Sequence, residues 1–141
     1  MNLLEEYNEL GYTIIGAAFE VMRNTGKGLR EKYYEKALIY ELKHRNLNVK
    51  EQVAIPALYK GIKVDDSYLA DIIVEDKIII EVKAINYMTE TECRQLLTYL
   101  YLSTFKLGYL INFGARDFVP GNTKEKLPYK KGIYRFINFE E

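Results

Sequence analysis

The stretch that decides the fold lies at residues 68–83 and reads YLADIIVEDKIIIEVK. Two runs of β-branched residues flank the polar segment Glu75-Asp76-Lys77, a pattern that predicts a β-hairpin. Both faces of these strands are apolar, which is typical of central strands covered by a layer on each side. We therefore expect residues 68–74 and 78–83 to form the centre of a sheet in an α/β domain.

Helical and strand patterns on either side complete this prediction. Apolar spacings of three and four predict helices over residues 4–23 and 29–45, and the capping box Thr89-x-x-Glu92 predicts a third over 90–106, with Gly108 as its C-cap. A period of two begins at Val49, a Lys60-Gly61 turn leads to a second stretch at residues 62–64, and further strands are expected over 107–113 and 133–139. The order is roughly ααβββαββ, a central mixed sheet flanked by helices, with residues 1–141 as one domain.

Composition limits the classes of function. The 141 residues include 20 Lys+Arg and 20 Asp+Glu, so a uniformly basic coat is excluded and any nucleic-acid contact must use a local patch. The single cysteine, Cys93, excludes an intramolecular disulfide and a cysteine-rich zinc site, which favours a reducing cytoplasm. No apolar run approaches the ~18 residues of a membrane span, and the acidic N-terminus does not resemble a signal peptide.

Three charged residues interrupt the apolar hairpin: Asp71, Glu81 and Lys83. Because burying an isolated charge is costly, charges in such strands need partners or a ligand. Glu81 and Lys83 are two apart and share a face. If Val74 pairs with Ile78 across a three-residue loop, Asp71 lies opposite Glu81 with Cβ atoms ~5 Å apart. A two-residue loop would instead send Asp71 to the other face.

This arrangement of charges indicates phosphoryl chemistry. Two carboxylates this close repel each other unless a cation lies between them. Carboxylate oxygens with few other ligands suit Mg²⁺ or Mn²⁺, which retain several waters and accept phosphate oxygens. Such a metal lowers the pKa of a bound water, and Lys83 can hold a water or stabilise charge on a phosphate. Phosphodiester hydrolysis is the reaction that this set suits.

The residues also match a known family. Asp71, nine residues and then Glu81-Val82-Lys83 resemble the D-x(n)-E-x-K core of the PD-(D/E)xK nuclease superfamily, with Ala70 in place of its Pro. Residues 28–34, GLREKYY, are similar to the G-x-x-E-x-x-Y signature of the small bacterial GxxExxY proteins. Residues 12–18, 95–100 and 110–114 resemble, in order, that family's first helix, its Q-x-x-x-Y helix and the strand that follows. The resemblance implies a restriction-endonuclease-like fold.

The resemblance also implies a role for each residue of the core. Asp71, Glu81 and the backbone carbonyl of Val82 would bind Mg²⁺ or Mn²⁺. Glu31 would complete the metal environment, often through a water molecule, and Lys83 would be the catalytic lysine. The implied activity is that of a metal-dependent nuclease acting on DNA or RNA.

Residues outside this core are assigned supporting roles. By the same resemblance, Gln95 and Tyr99 would orient the lysine, the attacking water or a phosphate, while Tyr34 would line the same helix face as Glu31. Residues 21–36 carry five basic against two acidic residues, and residues 121–132 carry four against one. These segments are candidate phosphate-backbone contacts. The named candidates are Lys27, Arg30, Lys124 and Lys130.

Ordinary structural roles remain open for each of these residues. Glu81 and Lys83 could be a solvated edge pair, Glu31 a first-turn acid favoured by the helix dipole, and Gln95 with Tyr99 a polar helix edge. The basic segments could be solvated surface. The alternative function is therefore a non-catalytic binding or assembly module that keeps the nuclease fold. A homodimer is compatible with the 13 tyrosines, and nucleic acid is the expected partner of the nuclease.

Overall fold

The computed structural model describes residues 2–124 and 129–138. These described residues contain three helices, which are α1 (Leu3–Thr25), α2 (Glu31–His44) and α3 (Glu90–Leu102). The α1 helix begins where the Asn2 side chain accepts a hydrogen bond from the Glu5 N–H at 2.9 Å. The capping box predicted before α3 is confirmed, because the Glu92 carboxylate accepts the Thr89 N–H at 2.8 Å.

Six of the eight strands in the described part of the chain form one mixed sheet, in the order β1-β4-β5-β6-β8-β7. The β5–β6 and β7–β8 pairs are parallel, and the others are antiparallel. Because α3 connects the parallel strands β5 and β6, these three elements form a crossover unit. The strands are β1 (Val49–Ala54), β2 (Ala57–Tyr59), β3 (Ile62–Asp65), β4 (Leu69–Val74), β5 (Ile78–Lys83), β6 (Leu107–Asn112), β7 (Asp117–Gly121) and β8 (Lys131–Ile137).

Apolar layers cover both faces of the sheet. On one face, side chains of α1 and α2 such as Ile14 and Leu38 pack against β5 through Ile80; we call this the α1–α2 layer. On the other face, Leu96 of α3 packs with Ile79 in what we call the α3 layer. The predicted central mixed sheet flanked by helices is therefore confirmed, and β4–β5 lies inside it.

The element order departs from the prediction in its details. The predicted Lys60-Gly61 turn joins β2 to β3, but these two strands form a hairpin separate from β1, and β7 is a short strand that the sequence did not predict. The last strand ends at Ile137, and Phe139, where it was expected to end, lies outside the described residues. Among the described helices, none is long and apolar enough to cross a membrane.

The predicted end of the third helix is wrong. The α3 helix ends at Leu102 and Ser103 is its C-cap residue, whereas Gly108 lies inside β6. A Cβ atom at Gly108 would lie 3.2 Å from side-chain carbons of both Leu96 and Leu100. The glycine therefore allows α3 to pack closely on the sheet, and it does not terminate the helix.

Candidate active site

The hairpin has the register that the sequence analysis assumed. Val74 pairs with Ile78 across a three-residue loop, and Ile72 pairs with Ile80. Loop residues Glu75 and Asp76 both have φ +53°, the left-handed conformation of a tight hairpin turn. This register brings the N-terminal half of β4 alongside the C-terminal half of β5, where the candidate carboxylates lie.

The backbone pairing of β4 with β5 extends as far as Ile72 and Ile80. In the next residues of both strands, side-chain carboxylates accept hydrogen bonds from backbone N–H groups. The Asp71 N–H donates to Glu81 Oε1 at 3.2 Å, and the Val82 N–H donates to Asp71 Oδ2 at 2.8 Å. Each carboxylate is thus bound by the backbone of the opposite strand. This exchange holds the two acidic side chains close together between β4 and β5.

Glu81 has a buried aromatic neighbour. The Tyr68 hydroxyl donates to Glu81 Oε1 at 2.5 Å, and the Tyr68 ring stacks on Tyr99 of α3 with 4.0 Å between ring centroids. Burial and, after it, the charge of Asp71 raise the pKa of Glu81 to about 8. The hydrogen bonds from Tyr68 and the Asp71 N–H oppose this rise, as does Lys83. Without a cation, Glu81 is therefore mainly protonated at neutral pH.

Lys83 and Glu31 lie within electrostatic range of this pair. Partial burial raises the pKa of Glu31; the charge of Lys83 opposes that rise, and Asp71 and Glu35 add to it. Lys83 is half-buried, and it makes no direct ion pair with any carboxylate that the structure describes. The charges of Asp71 and Lys83 therefore affect the pKa of both Glu31 and Glu81.

The chain also matches a known protein family. The model of a family described as the PD-(D/E)XK nuclease superfamily matches residues 8–124. The chain belongs to this superfamily. No curated protein and no solved structure gives a significant match. Membership suggests nuclease activity, and proteins of this superfamily generally use divalent metals and commonly bind nucleic acid.

Two other predicted residues lie on α3 of this nuclease-superfamily domain. Tyr99 reaches the site indirectly, through its stacking contact with Tyr68. Gln95 is exposed and makes no hydrogen bond to a described residue. Tyr34 is fully buried; its hydroxyl donates to the Gly26 carbonyl at 2.6 Å and accepts the Leu29 N–H at 3.2 Å. Tyr34 therefore fastens the loop before α2, a structural role that the sequence analysis did not assign.

The four basic candidates are all exposed, and none contacts a carboxylate of the site. Lys27 Nζ donates to the backbone carbonyl of Arg116 at 3.1 Å. Arg30 immediately precedes α2 and so lies next to Glu31 in the chain. Lys124 and Lys130 lie on either side of residues 125–128, which are outside the described part of the chain.

Three residues near the site were missed by the sequence analysis: Glu35, Gln52 and Tyr68. Gln52 Nε2 donates to Glu35 Oε1 at 2.9 Å and to Asp71 Oδ1 at 3.2 Å. The spacing of Glu35 four residues after Glu31 places both acids on one helix face and could have revealed it. Gln52 and Tyr68 carry no comparable signal, because only the folded sheet brings them to the carboxylates.

The donor set of the site is small. In residues 2–124 and 129–138, no group of three or more His, Cys, Asp or Glu side chains is arranged to hold a metal. The candidate cation ligands are the side-chain oxygens of Asp71 and Glu81 and the backbone carbonyl of Val82, which follows Glu81 in the chain. Hard divalent cations in proteins are often held by one or two carboxylates and several waters, so a cation at this pair would take most of its remaining ligands from water.

Proposed function

We propose that this protein is a metal-dependent nuclease that hydrolyses phosphodiester bonds of DNA or RNA. The observation that carries the proposal is the pair Asp71 and Glu81, held together across a hairpin in a chain of a nuclease superfamily. In this proposal both carboxylates and the Val82 carbonyl hold Mg²⁺ or Mn²⁺, with Glu31 adding a water-mediated contact. The GLREKYY segment at residues 28–34 also supports membership of the bacterial GxxExxY proteins.

The chemistry follows from charge. Burial and the repulsion between Asp71 and Glu81 raise the pKa of Glu81, and a divalent cation would offset both effects. When bound, such a cation lowers the pKa of a water and neutralises charge that develops on the phosphate. Lys83, without a direct carboxylate partner among the described residues, is available to stabilise that charge.

The remaining predicted residues take supporting roles in this proposal. Tyr99 positions Tyr68 through ring stacking, and exposed Gln95 is available to bind a phosphate or its water. The exposed basic residues would contact the nucleic-acid backbone and add salt-dependent affinity. They are Lys27, Arg30, Lys124 and Lys130. A homodimer and a cytoplasmic location remain predictions from the sequence.

One observation favours the alternative, a non-catalytic binding module. The Asp71 and Glu81 carboxylates already accept backbone N–H groups, so the arrangement is hydrogen-bonded without any cation. A fold that only binds nucleic acid or assembles with a partner would need no more. The two functions differ in whether a divalent cation binds and in whether Lys83 affects cleavage.

The test combines metal titration with cleavage. We expect Mn²⁺ to bind the wild-type protein and Asp71→Ala or Glu81→Ala to weaken binding strongly, because too few oxygen ligands remain. Lys83→Ala should bind Mn²⁺ nearly as well, yet cleave single- or double-stranded DNA or RNA ~10²-fold more slowly or worse. Lys43→Ala, an exposed lysine in the last turn of α2, is the matched control. Absence of cleavage by the wild type with Mg²⁺ or Mn²⁺, with nucleic-acid binding unchanged in Lys83→Ala, would favour the binding module.

A further inference from the structure

Strands β1 and β4 share one irregularity, at Gln52 and Asp71. Side chains two apart on a strand normally face the same side. Ala70 nevertheless packs in the α3 layer, while Ile72 packs in the α1–α2 layer. The pairing of β1 with β4 keeps the same register on both sides of this position, so no extra residue explains the switch. The strand backbone must therefore twist between Ala70 and Ile72, so that their side chains point to opposite faces of the sheet.

Gln52 has an unusual backbone conformation at this position. Its φ is +47°, the left-handed region that glycine and asparagine enter far more readily than glutamine. Non-glycine residues held in this region cluster at functional sites, where surrounding contacts maintain the strain. The side-chain amide of Gln52 lies between two carboxylates and forms hydrogen bonds with both of them.

The amide can have only one orientation. Glu35 Oε1 at 2.9 Å and Asp71 Oδ1 at 3.2 Å are both acceptors, so the group between them must be the NH₂. Glu35 is only 3% exposed and is held also by Lys32, 3.4 Å away. Both oxygens of Asp71 are consequently fixed, Oδ1 by Gln52 and Oδ2 by the Val82 N–H at 2.8 Å.

We propose that Gln52, anchored on buried Glu35, is a positioning residue that fixes the Asp71 carboxylate for cation binding. The inference rests on the proposed function for the metal, but the contacts themselves do not require one. Partners that orient a ligating carboxylate typically change metal affinity 10–100-fold when they are removed. The line Glu35–Gln52–Asp71 thereby links α2 to the site through hydrogen bonds, without a role for Gln52 in the chemistry.

The first experiment measures Mn²⁺ affinity by calorimetric titration of the intact chain. We expect Gln52→Ala and Gln52→Gly to weaken binding about equally, by ~10–100-fold. The glycine variant tolerates the left-handed backbone without strain, so it separates loss of the amide from loss of the turn. Glu51→Ala, at the exposed neighbouring position of β1, should leave affinity unchanged. Wild-type affinity in Gln52→Gly would overturn the proposal, because the backbone turn alone would then suffice.

The second experiment needs no metal and separates this inference from the proposed function. Unfolding free energies in EDTA are measured for Gln52→Ala, Asp71→Ala and the double variant, as a double-mutant cycle. We expect the effects to be non-additive, because each single variant already breaks the amide–carboxylate contact. Additive effects would overturn the positioning role. Failure of the wild type to bind Mn²⁺ would refute the metal-dependent nuclease, and the cycle would still decide whether Gln52 holds Asp71.

Discussion

Asn112 shows how one buried polar side chain fixes the chain next to the candidate catalytic lysine. It is fully buried at the end of β6 and pairs with Lys83 in the parallel β5–β6 ladder. Its Oδ1 accepts the N–H groups of Ile85 and Gly114, and its Nδ2 donates to the Ile85 carbonyl, each at 3.0 Å. Asn112 therefore binds both the N–H and the carbonyl of Ile85, two residues after the end of β5.

We predict that Asn112→Ala destabilises the protein by about 3 kcal/mol, because it leaves buried backbone groups without partners. Urea unfolding at neutral pH measures this loss. Asn86→Ala is the matched control, since Asn86 lies in the same segment but is exposed, and it should change stability by less than about 0.5 kcal/mol. An Asn112→Ala variant as stable as Asn86→Ala would show that the Ile85 backbone is held by other contacts.

At the scale of elements, local patterns determined what the sequence could predict. The β4–β5 hairpin and its register were predictable, because two β-branched runs enclose a three-residue polar loop. The capping box likewise marks the start of α3 with residues adjacent in the chain. The layer switch at Gln52 was not predictable, because glutamine has no preference for positive φ and only tertiary contacts with Glu35 and Asp71 support it.

The prediction that Gly108 is the C-cap of α3 was wrong, because its role depends on how α3 packs on the sheet. We predict that Gly108→Val destabilises the protein by about 1–3 kcal/mol, since its Cβ would already lie 3.2 Å from Leu96 and Leu100. Gly16→Ala is the opposite control: Gly16 lies within α1, a Cβ atom there would have no neighbour within 4 Å, and the alanine should stabilise by about 0.5–1 kcal/mol. Thermal unfolding of both variants measures the contrast. Equal effects would mean that α3 can shift away from β6 at little cost.

At the scale of the whole molecule, the pH dependence of stability depends on where charges lie and not on their sum. Twenty basic and twenty acidic residues cancel, yet the hairpin holds two carboxylates together in a partly buried site. Folding must therefore oppose the ionisation of Glu81, whose pKa it raises to about 8 from an ordinary value of 4.5. The stability of the entire chain is thereby linked to pH through one hairpin.

The sign of that linkage gives a prediction for the metal-free protein. Between pH 4.5 and about 8 the folded chain binds more protons at Glu81 than the unfolded chain does, so stability should fall as pH rises through this window. The decline attributable to this group is at most about 1.4 kcal/mol per pH unit. Glu81→Gln keeps an acceptor oxygen for Tyr68 and the Asp71 N–H but cannot ionise, so its advantage over the wild type should grow with pH.

Urea unfolding in EDTA from pH 5 to 8.5 measures both proteins, with Glu9→Gln on the exposed surface of α1 as the control. The control curve should run parallel to that of the wild type, while the curve of Glu81→Gln should be flatter. Saturating Mn²⁺ should reduce the wild-type decline, because a bound cation favours the ionised carboxylate. Parallel curves for Glu81→Gln and the wild type would mean that Glu81 ionises as readily in the folded chain as in the unfolded one, and the repulsion between Asp71 and Glu81 would no longer be a reason for a cation to bind there.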